Sequence, residues 1–316
     1  MIDRADATHP PVLSVVVVVY AGGRLIKRTL EALERQDHVR GPVEIIVAMP
    51  AGLVGEQTIH SAAPAARVVR GPHGAHPAVL RALGVRLASA PIVACTEDHC
   101  VPARDWCARI LEAHSAPATV VGGAIEKLQP DRPIAWAAYL LDYGRYIPPL
   151  TSGPAEYLSD CNVSYKRATL NDVTSEWHDA FHETRVHDAI RMRGGPDAII
   201  LDPNIIVMQS RRPDLRRFLA DRFAHGKLFA QLRAAEYGTR ARIGYALGAM
   251  GLAPVLVWRA LRRAWRRGDM RLAALRALPL VTLAAVVWSL GESAGALSPN
   301  ADVGTAANDG PPARQP

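Results

Sequence analysis

The chain has 316 residues, with 37 Lys and Arg against 30 Asp and Glu for a net charge of +7, and only four cysteines. That length sustains one large core or two modest ones without disulfides, and because Cys95, Cys100, Cys107 and Cys161 form no CxxC pair, a zinc ribbon and a thioredoxin-like centre are excluded. The positive charge is concentrated late, in SRRPDLRRF and WRALRRAWRRGDMRLAALR, among apolar runs and not among exposed aromatics, which favours an anionic membrane surface and argues against nucleic acid.

The opening MIDRADATHPP is acidic where a secretory leader is basic, so a cytoplasmic catalytic part with reduced thiols is expected. VLSVVVVVY then predicts a strand and RLIKRTLEALERQ a helix with apolar residues at helical spacing. VEIIVAM and ARVVR predict two further strands, HPAVLRALGVRLASA a helix, and PIVACT another strand. This alternation predicts a doubly wound α/β sheet, parallel in its centre, whose ligands gather at the carboxyl ends of the strands.

The polar stretch CTEDHCVP follows the last of these strands, so Glu97, Asp98 and His99 stand at a strand end. In an extended chain Glu97 and His99 point to the same side, and a carboxylate and an imidazole two residues apart can share a divalent cation, which in turn binds a diphosphate. The competing reading of the triplet alone is a solvated loop with an ordinary helix cap. Cys95 and Cys107 are expected to pack in the core, as small buried cysteines commonly do.

The frame VLSVVVVVYAGGRLIKRTLEALERQ, VEIIVA and LRALGVRLASAPIVACTEDHCVPARDWCARILEAH, continued by YLSDCNVSYKRATL and FHETRVHDAIRMRG, resembles the family 2 glycosyltransferases with the GT-A fold over roughly residues 12 to 210. The resemblance implies a nucleotide-sugar donor and transfer of its sugar to a hydroxyl acceptor, with lipid-linked and surface glycans among the acceptors. In the family an Asp-x-Asp type motif holds Mn²⁺ or Mg²⁺ against the donor diphosphate. Here Glu97, Asp98 and His99 occupy that position, with Glu97 and Asp98 as donor-binding residues and Glu97 and His99 as metal ligands. An imidazole is the softer ligand, so Mn²⁺ is expected to be preferred.

The resemblance also implies that Tyr20 stacks near the nucleobase and that Arg81 lies near the donor phosphates. Met49 and Pro50 stand where the family usually has acidic residues that contact the base, so uridine recognition does not carry over. On the acceptor side it implies Asn162, with Cys161 beside it. His182 and Glu183 occupy the place of an acidic pair at a helix start, and a carboxylate there can take the acceptor proton during an inverting transfer. Glu183 is therefore the candidate base and His182 its orienting neighbour or substitute, while His187 and Asp188, one turn on, are expected to face solvent or to support the site from behind.

Residues 10–210 are thus expected to form the catalytic domain, 211–242 a basic amphipathic segment, 243–297 membrane-associated hydrophobic helices and 298–316 a disordered tail. The runs IGYALGAMGLAPVLVW and ALPLVTLAAVVWSLGESAGAL are short for membrane spans, which need about 20 residues. Arg240 and Arg242 precede the first run and Arg259, Arg262, Arg263, Arg266 and Arg267 follow it, so a span there would export the second cluster. The expectation is a first run that stays in the interface on the cytoplasmic side of the membrane, and at most one crossing after Arg276, with Glu292 as its awkward residue. Two rival functions remain: a nucleotide-sugar-binding protein that has lost catalysis, suggested by the altered acidic motifs, and a nucleotidyltransferase. The second is disfavoured because no glycine-rich, lysine-containing loop follows the first strand.

Overall fold

The computed structural model of the chain describes residues 9–19, 25–53, 55–128, 132–211, 213–234 and 237–298. The valine-rich segment Leu13–Val18 (β1) is buried at every position, the pattern of a strand covered on both faces. Val43–Ala51 (β2) and Arg67–His73 (β3) extend the sheet on one side of β1 and Ile92–Glu97 (β4) on the other, all in parallel. Ile26–Glu34 (α1), Glu56–Ala62 (α2) and Pro77–Leu87 (α3) make the crossovers. α1 buries Ile26, Thr29, Leu30 and Leu33, one stripe at helical spacing. α3 begins at Pro77 after His76, whose Nδ1 accepts the Ala78 N–H, and Gly84 lets it lie directly on Val16 of β1.

Beyond β4 the parallel order stops. Cys100–Pro102 (β5), Trp106–Ala113 (α4), Val120–Lys127 (β6), Pro133–Asp142 (α5), Gly153–Pro154 (β7) and Val163–Lys166 (β8) follow in sequence, then Arg167–Asp172 (α6), Glu183–Gly194 (α7) and Ile199–Gln209 (β9). β8 enters between β4 and β6, antiparallel to both, and the order across the sheet is β3-β2-β1-β4-β8-β6-β9-β5, with β7 on β9. The doubly wound arrangement therefore holds for the half that follows local βαβ rules, and the other half is mixed.

Close backbone approach in the mixed half rests on Gly122 and Gly123. A Cβ at Gly123 would overlap the Ile205 carbonyl oxygen and come within 2.6 Å of that of Asp202. Backbone cannot yield as a flexible side chain can, so Gly123→Ala is expected to destabilise the protein by about 3 kcal/mol, the upper end of overpacking costs. Urea unfolding checks this; an unchanged midpoint would refute the tight crossing of β6 and β9.

Two compact units share the chain. The first takes the described residues up to Leu128 together with Leu150–Ser210, and the second takes residues 132–149 together with the described residues from Arg211. The sequence reading kept 129–149 inside the 10–210 domain, but α5 packs with the C-terminal helices. Its cause is compositional: IAWAAYLL buries Ala135, Trp136, Ala137, Ala138, Tyr139 and Leu140, a helix apolar on most sides that needs a partner of its own.

The second unit also contains Leu215–Arg233 (α8), Thr239–Ala249 (α9), Leu252–Trp265 (α10) and Arg271–Leu297 (α11). Asp214 caps α8 by accepting the Arg217 N–H at 2.9 Å. α8 and α11 approach backbone to backbone through Gly226, Gly291 and Gly295. Arg211 and Arg222 share Asp142 of α5, at 3.5 and 2.5 Å, and Arg211 also holds Asp221 at 2.9 Å. Glu292 accepts hydrogen bonds from Tyr245 Oη at 2.7 Å and Trp288 Nε1 at 2.5 Å, so this acid in an apolar run is satisfied inside the helical unit. Among the described residues Gly268–Leu297 is the one helical stretch long and apolar enough to cross a bilayer, with a mean hydropathy of 1.8. α9 and α10 have the composition as a pair but are bent by 48° at their junction.

Candidate active site

Glu97 ends β4 in register with Val18, the end of β1, which puts it at the carboxyl edge of the parallel strands. The chain turns there under tight control. Asp98 donates its N–H to the Val18 carbonyl at 2.9 Å, and its own carbonyl accepts Thr29 Oγ1 of α1 at 3.0 Å. The His99 carbonyl takes both the N–H and the hydroxyl of Ser210, each at 2.9 Å, so the triplet bridges β4 and β5 with little freedom.

Arg81 of α3 is the hub of the site. It is 2% exposed, and its Nη2 reaches Asp160 Oδ2 at 2.6 Å and Glu97 Oε1 at 3.2 Å, while Nη1 donates to the Phe181 carbonyl at 3.3 Å. Burial alone would weaken its charge, but Asp160, Glu97 and Glu183 outweigh that and hold its pKa above the ordinary value. Arg81 thus ties the end of β4, the loop before β8 and the segment before α7 into one cluster. Arg81, expected beside the donor phosphates, is paired here with the protein carboxylates Glu97 and Asp160. Asp160 is the residue that sequence reading missed. It was not among the expected site residues, and only the fold brings that carboxylate to a buried arginine 79 positions away.

Glu183 opens α7, with His182 at the N-cap. The Glu183 side chain is half-buried and closely surrounded by protein. Desolvation and the neighbouring Asp160 charge push its pKa up to about 7, against the opposing pull of Arg81. Burial, with Arg185 and Arg81, lowers that of His182, which lies with its ring centroid 6.0 Å from that of His76. His187 does not face solvent. It is fully buried, its Nε2 is 3.0 Å from Tyr165 Oη, its Nδ1 is the acceptor nearest the Leu158 N–H at 3.5 Å, and burial lowers its pKa to about 3. Asp188 is exposed, and accepts Tyr157 Oη at 3.0 Å.

Asn162, expected at the acceptor, is 1% exposed and serves the sheet instead. Its amide donates to the Ala124 and Ile205 carbonyls at 2.8 and 2.9 Å and accepts Trp106 Nε1 at 2.8 Å. Cys161 is likewise buried, its Sγ 3.3 Å from Ser159 Oγ and its carbonyl accepting Thr96 Oγ1 at 3.0 Å. Burial raises all four thiols, Cys95 to about 12, which favours the protonated, unreactive form. Tyr20 lies outside the described residues.

Glu97 Oε2 and Asp98 Oδ1 lie 3.5 and 3.6 Å from His99 Nδ1. This carboxylate and imidazole donor set suits a borderline divalent cation. Among the described residues no group of three His, Cys, Asp or Glu side chains is arranged to hold a metal ion.

Among curated proteins none matches the sequence. A mannosyltransferase, PcManGT, from Pyrobaculum calidifontis, solved in complex with GDP-Man and Mn²⁺, is similar in fold with a TM-score of 0.54 at 18% identity, over 92% of this chain and 90% of that one. S. aureus TarS 1-349 in complex with UDP-GlcNAc is similar at a TM-score of 0.49 and 11% identity, over 85% of this chain and 89% of that one. The family model for glycosyl transferase family 2 matches residues 14–174, half of the chain, including the β1–β4 frame, Arg81, the Glu97-Asp98-His99 turn and Asp160. The chain therefore belongs to glycosyl transferase family 2, and is a glycosyltransferase with a GT-A-like α/β catalytic fold.

Proposed function

We propose that the protein moves a sugar from a nucleotide-sugar donor to a hydroxyl acceptor with inversion, and that Glu183 is the base. One observation carries this reading: a carboxylate held near neutrality at about pH 7, across Arg81 from the acid that ends β4. The acceptor oxygen attacks the anomeric carbon, the bond from that carbon to the diphosphate breaks, the nucleoside diphosphate departs, and the acceptor proton passes to Glu183 Oε. A base is most effective when its pKa lies near the working pH. Asp160 raises the proton affinity of Glu183, while Arg81 keeps both acids from being uncompensated. His182 orients the helix start, and the residues around Asn162 support the acceptor side from behind.

Glu97 and His99 would hold a divalent cation on the donor side, with diphosphate oxygens completing its shell, as is usual where protein supplies only one or two ligands. When bound, that cation neutralises the charge that develops on the leaving diphosphate. The complex of the mannosyltransferase with GDP-Man and Mn²⁺ supports the donor class and the use of a divalent cation. The acceptor class we infer is lipid-linked, because the second unit contains a helix long and apolar enough to meet a membrane.

Titration calorimetry with GDP-Man and UDP-GlcNAc tests the donor side. Donor affinity is expected to be higher with Mn²⁺ than with Mg²⁺, and His99→Ala is expected to lower the Mn²⁺-supported affinity by about tenfold or more. Equal affinity in EDTA and in Mn²⁺ would remove the cation from the reading.

A further inference from the structure

α11 sorts its side chains by size in the sense opposite to a helix in water. Ala274, Ala277, Ala284, Ala285, Gly291 and Gly295 are buried, with Val281 the one bulky apolar residue fully buried beside them, whereas Leu272, Leu275, Leu283, Val286, Leu290 and Leu297 are 41 to 59% exposed. Helices in water bury bulky apolar groups, while helices in lipid pack through small residues and turn the bulky ones outward. The exposed positions recur at helical spacing, so they form one stripe, and from Leu272 to Leu290 it runs about 27 Å. α10 adds Trp258 and Trp265, 56 and 44% exposed, with Arg259, Arg262 and Arg266 exposed between and beside them. The Arg262 guanidinium lies 5.2 Å from the Trp258 ring centre. Aromatic rings alternating with arginines are the chemistry of the headgroup level of an anionic bilayer.

The same helix is ill suited to crossing that bilayer. α8 packs along its second half, with Phe223 and Lys227 backbone against Gly291 and Gly295, and α8 carries Arg222 and Lys227. A crossing would draw the Arg211, Asp142, Arg222 and Asp221 network toward hydrocarbon, where ionised groups are expensive.

We propose that α10 and α11 dock the enzyme on an anionic phospholipid surface, with the leucine stripe lying in the plane of the interface, Arg259, Arg262 and Arg266 on the headgroups, and neither helix crossing. This deepens the membrane-associated reading above and rests on it. Flotation of the full chain with vesicles of equimolar phosphatidylcholine and phosphatidylglycerol, against phosphatidylcholine alone, tests the surface. Binding is expected to be strong only on the anionic vesicles, and the Arg259→Gln, Arg262→Gln, Arg266→Gln triple variant is expected to bind them at least about tenfold more weakly. Equal binding to both vesicles overturns the anionic docking. Binding to neither, with self-association in sedimentation, overturns the membrane reading itself and makes the stripe a contact between copies. The in-plane placement is read separately from Gly268→Cys and Ser298→Cys, at the two ends of α11, labelled with an impermeant maleimide in sealed membrane vesicles of each orientation. The four native cysteines are buried and stay silent. Both positions are expected to label from the same side. Opposite sidedness would show a crossing and overturn the arrangement.

Discussion

Glu183→Gln is expected to keep donor affinity and to lower turnover by about a hundredfold or more, the usual contribution of a positioned general base. The substitution preserves size and removes only the ability to hold the proton. In the unsubstituted enzyme kcat is expected to rise with pH through an inflection near 7, because Glu183 must be ionised and desolvation holds its pKa at about 7. The stability of the fold runs the other way. Folding raises this pKa above its ordinary value of 4.5, so the contribution of Glu183 to stability is whole below pH 4.5 and is lost as pH rises through 7. In Glu183→Gln both dependences are expected to flatten. Stopped assays of released nucleoside diphosphate, with thermal unfolding followed over the same pH range, measure the two together. Turnover of the variant near that of the unsubstituted enzyme would move the base to His182 or Asp160.

The second large effect is expected at Arg81. Arg81→Met fills much of the same volume but leaves Glu97 and Asp160 without their shared partner inside the protein, and breaking a buried pair in this way costs about 3 to 5 kcal/mol. Asp160 is 30% exposed at its side chain and regains water, so the lower part of that range applies. Activity is expected to fall with stability because Glu183 loses the charge that opposes its protonation, and the inflection of kcat should move to higher pH. Asp160→Asn alone should move that inflection to lower pH, since Asp160 raises the Glu183 pKa. Opposite displacements in the two variants separate positioning from simple unfolding. A stability loss in Arg81→Met without any change in the pH profile would show that the cluster is structural only.

The strands up to Glu97 are legible because their signals are local. β1 is nearly all valine, and α1 and α3 carry apolar residues at helical spacing, so composition and period decide each element and βαβ handedness decides their order. The position of Glu97, Asp98 and His99 at a strand end follows from that frame alone, whereas Glu183 at a helix start comes from the family resemblance, and the helix begins there. β8 is different. Four residues, Val163–Lys166, pair with β4 and β6 across long stretches of chain, and no periodicity within VSYK reports which strands they join. The roles of Arg81, Asp160, Asn162 and His187 all depend on that insertion. Once β8 is placed beside β4, the loop before it delivers Asp160 to Arg81, Tyr165 meets His187, and the Asn162 amide is drawn into the sheet. In the second unit charge and hydropathy mark the helices, but Asp142 as the partner of Arg211 and Arg222, and Tyr245 and Trp288 as the partners of Glu292, are contacts between elements distant in sequence. Sequence by itself determined which residues are chemically able to act and at which strand or helix end each stands, because those are properties of short segments. Which of them face one another, and which are consumed in holding the fold, was decided only by tertiary packing, because burial and pairing are energies of contact that no local pattern encodes.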